Sequence, residues 1–196
     1  NEKGTAPFEP LFIDFVSMPP ANGYRYILTM ICSFTRFVVA FPLRSCSASA
    51  TARCLIKLIA QYRIVPKVIS SDRGTHFTGQ LFRETLAGLN IAQKLHVAWR
   101  PQSSGVLERQ HRTLKVALHI AVKEKSGPWH ESLDLVVSAM NASYNTATKC
   151  APFQAVYGHA GLIGLPDLNR LKEENAAEYA VKTNATLRDV HHFVRL

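Results

Sequence analysis

The stretch LFIDFVS, Leu11–Ser17, decides the fold. It is apolar on both alternating sides, as a strand covered on both faces must be, so it is expected at the centre of a sheet. A single carboxylate, Asp14, interrupts it. After Pro19-Pro20-Ala21-Asn22-Gly23, which reads as a turn, Tyr24–Ser33 is rich in β-branched and aromatic residues. Phe37–Pro42 is a third run of that kind. Three such runs with short connections predict an antiparallel meander.

Downstream the pattern turns helical. Ala50, Cys54, Leu55, Leu58, Ile59 and Tyr62 repeat at helical spacing within Ser47–Arg63, and Pro66 stops that helix. Val68-Ile69 reads as a short buried strand ending at Ser70-Ser71-Asp72, and Gly79–Leu89 as a helix. Ile91–Trp99 reads as a strand leading into the loop PQSSG, Pro101–Gly105. Val106–Lys125 is a long helix, broken by Gly127-Pro128; Trp129–Asn145 and Pro152–Tyr157 are two more. Residues 167–194 are polar with helical character. The order is three strands, helix, strand, helix, strand, then helices. It predicts an α/β fold with a mixed sheet and helices on both faces. The expected division is a leading linker at 1–10, a core at 11–160 and a helical tail at 161–196.

Of the 196 residues, 47% are hydrophobic, enough for a substantial core. No run of about eighteen apolar residues is present and no signal-peptide pattern opens the chain, so an intracellular protein, or a piece cut from a larger one, is expected. Cys32, Cys46, Cys54 and Cys150 are scattered without zinc-ligand spacing and read as reduced thiols. The net charge of +9 suits a polyanionic partner, nucleic acid first among them.

Three carboxylates stand out. Asp14, inside an apolar strand, needs donors, a cation or a metal; alternatively it bonds turn backbone. Asp72 ends a strand, where ligand-binding groups gather, although Asp72-Arg73-Gly74 also fits a simple turn. Glu108 lies in the first turn of the expected long helix, where it could merely answer the helix dipole. Taken together, with thirty-five residues between Asp72 and Glu108, they can converge on one point. Three oxygen donors without neighbouring Cys or His suit Mg²⁺ or Mn²⁺ rather than zinc, and two such ions could activate a water or sugar hydroxyl.

On the long helix, Leu107, Leu114, Leu118 and Ala121 form one stripe, the expected core face. Glu108, His111, Arg112, Lys115 and His119 share another. That second face is either a row of phosphate donors beside a metal ligand or a solvated face with a Glu108–Arg112 pair. The preceding Trp99, Arg100, Pro101, Gln102, Ser103, Ser104 and Gly105 combine an aromatic, a cation, an amide and hydroxyls, a set suited to contacting nucleic acid. Lys94, His96 and Arg100 extend the positive charge. His159, His191 and His192 read as surface residues, and Tyr24, Tyr26, Phe34, Phe37 and Trp129 as core.

LFIDFVS, VISSDRGTHFTGQLF and KLHVAWRPQSSGVLERQHRTLK together resemble the D,D-35-E catalytic core of retroviral and Ty3/Gypsy-type integrases, over roughly 7–158. Lys94–Lys115 is most similar to the gammaretroviral type, Ser71-Asp72-Arg73-Gly74 to Gypsy-type elements, and APFQAVYGH also fits the pattern. The resemblance implies a ribonuclease H-like fold, a five-stranded mixed sheet flanked by helices. It implies 3′-end processing and strand transfer of element DNA, with two Mg²⁺ or Mn²⁺ ions on Asp14, Asp72 and Glu108. It places Gln102, Ser103 and Ser104 in an active-site loop and His111, Arg112 and Lys115 against element DNA; Arg100 and Arg109 join them as DNA-contact candidates. His111 stands where Asn is common in the family, and so does Arg73. It further implies a homo-oligomer, at least a dimer, acting in the nucleus after a cytoplasmic phase. Family members carry a zinc module and a C-terminal module, neither visible in this sequence, and the tail would lead toward the latter. Two other functions compete: a non-catalytic DNA-binding or protein-interaction descendant, and a ribonuclease H-type nuclease.

Overall fold

The computed structural model describes residues 4–96, 101–125 and 127–158. Its sheet opens with β1 (Leu11–Ala21), β2 (Tyr24–Cys32) and β3 (Val38–Leu43). Then come α1 (Ala48–Tyr62), β4 (Val68–Ser71), the single-turn α2 (Thr75–Thr78), α3 (Gln80–Gly88) and β5 (Ala92–Leu95). The chain continues with α4 (Pro101–Lys125), α5 (Trp129–Ala142) and α6 (Pro152–Tyr157).

The five strands lie in the order β3-β2-β1-β4-β5. The first three form the antiparallel meander; β4 runs parallel to β1, and β5 parallel to β4. LFIDFVS is thus the central strand. The turn after it is shorter than Pro19–Gly23. The strand runs on, with an irregularity between Ser17 and Ala21, and only Asn22 and Gly23 turn, both at positive φ (51° and 83°). Asn-Gly adopts that backbone readily, which makes it a favoured two-residue hairpin turn.

Alternation along the central strands divides the core in two. Leu11, Ile13, Leu28, Met30 and Val39 face α1 and α3, where Leu55, Leu58, Phe82 and Leu86 meet them. Val16, Ile27, Ile31, Val38 and Ala40 face the other way, onto Leu114 and Leu118 of α4 and Trp129, Leu133 and Val137 of α5. Asp14 and Thr29 are register partners, and both lie on the α4 side by the same alternation.

Several expected boundaries shift. PQSSG forms the first turns of α4 rather than a loop, with proline at the first position, where its missing N–H costs nothing. Glu108 consequently sits two turns into the helix, away from the dipole end. The helix expected at Gly79–Leu89 is preceded by α2, and α5 ends at Ala142, three residues earlier than read. Residues 4–10, expected as a linker, are docked: Phe8 is buried in the core and Lys67 pairs with Glu9. Trp99, Arg100 and the tail from 159, with its three histidines, lie outside the described residues.

At the open edge, Asn141 of α5 takes the place of a neighbouring strand. Its Oδ1 accepts from the Val38 N–H at 2.8 Å, and its Nδ2 donates to the Val38 carbonyl at 2.7 Å.

Candidate active site

The central strand delivers Asp14 to the α4 side. Its Oδ1 accepts from the N–H of Phe15 at 2.8 Å. Among the described residues no lysine or arginine pairs with it. Burial, opposed by that hydrogen bond and assisted by the nearby charge of Asp72, pushes its carboxyl up to about 6. Such a group binds a proton, or a cation in its place, more readily than an ordinary carboxylate.

Asp72 follows β4 directly, at the end of the parallel neighbour of β1. Its Oδ1 accepts from the N–H of Gly74 at 2.8 Å, so the simple turn is indeed formed. That turn is compatible with a site role, because it leaves the carboxylate exposed and near enough for its charge to act on Asp14. A Cβ on Gly74 would stand 3.0 Å from Asp72 Oδ1 and 2.5 Å from the His76 ring, so a side chain there would have to displace that ring. His76, on α2, rests edge-on against Phe15 with ring centroids 4.6 Å apart. Burial lowers its pKa while Asp72 raises it.

Helix α4 supplies the third side. Its buried stripe is the one expected: Leu114 and Leu118 are fully covered, with Leu107 and Ala121 packed beside them. The face expected to be basic and outward divides. Arg112, Lys115 and His119 are exposed, as are Glu108 and Arg109. His111 turns inward instead. Its Nε2 lies 2.9 Å from Thr29 Oγ1 and its Nδ1 3.8 Å from Asp14 Oδ2. Burial, with help from Lys115, pushes the ring down to about 4, so it is neutral near pH 7. It therefore offers Asp14 no counter-charge.

The structure sets Asp14 near Asp72 and His111, and Asp72 near His76, as separate pairs. Glu108 shares the His111 face, three residues and almost one turn toward the helix start. Among the described residues, no group of three His, Cys, Asp or Glu is close enough to hold a metal ion in this arrangement. The donor chemistry at Asp14 and Asp72 nevertheless fits a hard divalent cation: two neighbouring carboxylates, one desolvated, with no basic side chain between them. The side chains of Gln102, Ser103 and Ser104 lie outside the described residues, as does Arg100. Arg36, in the β2–β3 turn, neighbours Arg109 and adds to the positive character of α4. Sequence reasoning missed Thr29 and His76. The signal for Thr29 was a hydroxyl inside YRYILTMIC; for His76, its place in DRGTHF just beyond Asp72.

A mixed sheet of this order, with one carboxylate on the central strand and another just past its parallel neighbour, defines the ribonuclease H-like class. Within it, the chain belongs to the integrase core domain family, whose model matches residues 4–101. It is 35% identical over 158 residues to the Pro-Pol polyprotein of Simian foamy virus type 3, covering 80% of this chain and 14% of that protein. It is 27% identical over 177 residues to the Transposon Tf2-3 polyprotein of Schizosaccharomyces pombe, covering 88% of this chain and 13% of that one. The chain thus spans about one seventh of these relatives. In fold it matches the catalytic core domain of BIV integrase with a TM-score of 0.63 at 23% identity, covering 74% of this chain and 91% of that domain.

Proposed function

We propose that this chain is the catalytic core of a metal-dependent polynucleotidyl transferase that processes the 3′ ends of retroelement DNA and joins them to target DNA. The observation that carries the reading is the meeting of Asp14 and Asp72 beside the exposed cations of α4. Asp14 and Asp72 would hold the divalent ions, with Glu108, on the His111 side of α4, as the third ligand. The ions, when bound, supply activation of the attacking water or 3′-hydroxyl and stabilisation of the leaving oxygen.

The protein's own part is positioning. Arg109, Arg112 and Lys115 would bind backbone phosphates along α4 and lay the DNA end toward Asp14. The buried stripe of α4 fixes that face over the sheet, so an end held there stays in line with the carboxylates. DNA ends and target DNA are the proposed partners, in an assembly of at least two copies, with Mg²⁺ or Mn²⁺ as the ions.

The test is strand transfer, or its reversal on branched DNA, with Mg²⁺ and with Mn²⁺. The expected result is metal-dependent product from the wild type and none from Asp72→Asn. Equal, metal-independent signals from both would sink the proposal. A non-catalytic DNA-binding descendant is the second reading, favoured by the position of Glu108 outside a three-ligand cluster. DNA binding without divalent-ion binding would support it.

A further inference from the structure

Three exposed, large apolar side chains gather on one groove. Ile120 of α4, Leu135 of α5 and Tyr144 just beyond α5 are 51%, 53% and 66% exposed, and all three line the trough between the two helices. The trough has a volume of about 560 Å³ and is also lined by Ala117 and Met140. Apolar surface collected in a groove marks a docking place rather than ordinary scatter. At roughly 100° per residue, Thr113, Ala117, Ile120 and Glu124 lie on a different side of α4 from Glu108, Arg112 and Lys115. The groove is therefore separate from the site at Asp14.

Its two ends differ in charge. A short connection joins α4 to α5, so the helices run antiparallel and Tyr144 lies beside the early turns of α4. Arg36 and Gln110 line that end. Arg109 stands near enough to Arg36 for its charge to act on it, and among the described residues no carboxylate pairs with either arginine. Glu124 lines the other end. The fitting occupant is apolar in the middle, acidic at its first end and basic at its last.

The chain carries such a segment. Pro152 of α6 lines the groove, and α6 ends at Tyr157, one short helix further on. The sequence beyond it lies outside the described residues. Wound as a helix, it would put Glu174, Ala177, Val181, Ala185 and Arg188 on one face. Arg170, on the same face one turn earlier, would fall before the groove begins. Glu174 and Arg188 would stand about 21 Å apart along that helix, against about 22 Å between Arg109 and Glu124 along α4. Residues 159–173 can span up to about 50 Å, ample to bring the segment there.

We propose that residues 174–188 of the chain's own tail dock as a helix in the groove between α4 and α5. Glu174 meets Arg36 and Arg109, Arg188 meets Glu124, and Ala177, Val181 and Ala185 cover Ile120 and Leu135. The docking is independent of the metal-dependent reading above, because it uses another side of α4.

The test is thiol labelling of the full 196-residue chain carrying Ala117→Cys, read peptide by peptide by mass spectrometry. Buried Cys54 reports unfolding in the same spectra, and a separate His119→Cys chain reports an exposed position outside the groove. Val181→Pro, which breaks a helix in the tail, should speed labelling at Ala117→Cys about tenfold while Cys54 stays protected and His119→Cys is unchanged. Arg36→Glu should also speed it, and adding Glu174→Arg to that chain should restore the slow rate. The slow rate should persist on dilution. A rate that Val181→Pro leaves unchanged overturns the proposal. So does protection that fades on dilution, which would give the groove to the tail of a second copy. Failure of Glu174→Arg to restore protection overturns it as well. If Cys54 shows that Arg36→Glu unfolds the chain, the Val181→Pro comparison decides alone.

Discussion

His111 and Thr29, eighty-two positions apart in sequence, meet at 2.9 Å between α4 and the sheet. Thr29 is fully buried, so its hydroxyl has no water to turn to. Thr29→Val keeps the shape and removes the hydroxyl, leaving Nε2 of a part-buried ring without its partner. The expected loss is about 1–3 kcal/mol in urea denaturation, whereas Thr29→Ser, which keeps the hydroxyl, should lose roughly half as much or less. Equal losses in the two variants would show that the methyl group matters and the hydrogen bond does not.

Asp14 and His111 give stability opposite responses to acid. Asp14 is held at about 6 against an ordinary 3.8, so its stabilising protonated form is complete below about pH 4 and is lost as pH rises through 6. His111 is held at about 4 against 6.5, so its favourable neutral form is complete above 6.5 and its contribution falls as pH drops toward 4. In the wild type without divalent ions the two slopes oppose each other between pH 4 and 6.5. Asp14→Asn should therefore melt progressively lower on acidification through this window, and His111→Asn progressively higher. Parallel melting curves for the two variants would contradict the assignment.

The exposed cations of α4 should matter for binding and little for folding. Arg112→Ala and Lys115→Ala should each lower the slope of log affinity for duplex DNA against log salt by about one, measured by fluorescence anisotropy. Unfolding free energies should stay within about 0.5 kcal/mol of the wild type, because neither side chain is buried.

Asn141 satisfies both backbone groups of Val38 from a helix 103 positions away. Asn141→Ala leaves a buried N–H and a buried carbonyl without partners. A loss of about 2–4 kcal/mol is expected in chemical denaturation, near the upper end for a single polar side chain.

The elements that bury a regular pattern were readable from the chain. LFIDFVS announced a central strand because a two-sided apolar run has few other uses, and Leu114 and Leu118 announced the inner face of α4. Asp72 was readable because the apolar strand stops just before it. What escaped the sequence depends on contacts between distant segments. Ser103, Ser104 and Gly105 are weak helix formers, so nothing local announced that α4 begins at Pro101. His111 sits in a polar, basic context and read as an outward donor; only the proximity of Thr29 and Asp14 turns it inward. Nothing local singles out Asn141, because its partner Val38 lies on another layer.

The Asn141–Val38 clasp also limits how copies of this chain can associate. In β3 the residues whose backbone groups point away from β2 alternate, so Val38, Ala40 and Pro42 face the open edge. Asn141 occupies the first, and the third has no N–H to offer. Ala40 alone remains, and one residue cannot seed a strand-to-strand ladder. The sheet therefore cannot be extended from this side by a second molecule. Contact there must be made by side chains, which can be selective about their partner in a way that a bare backbone ladder cannot.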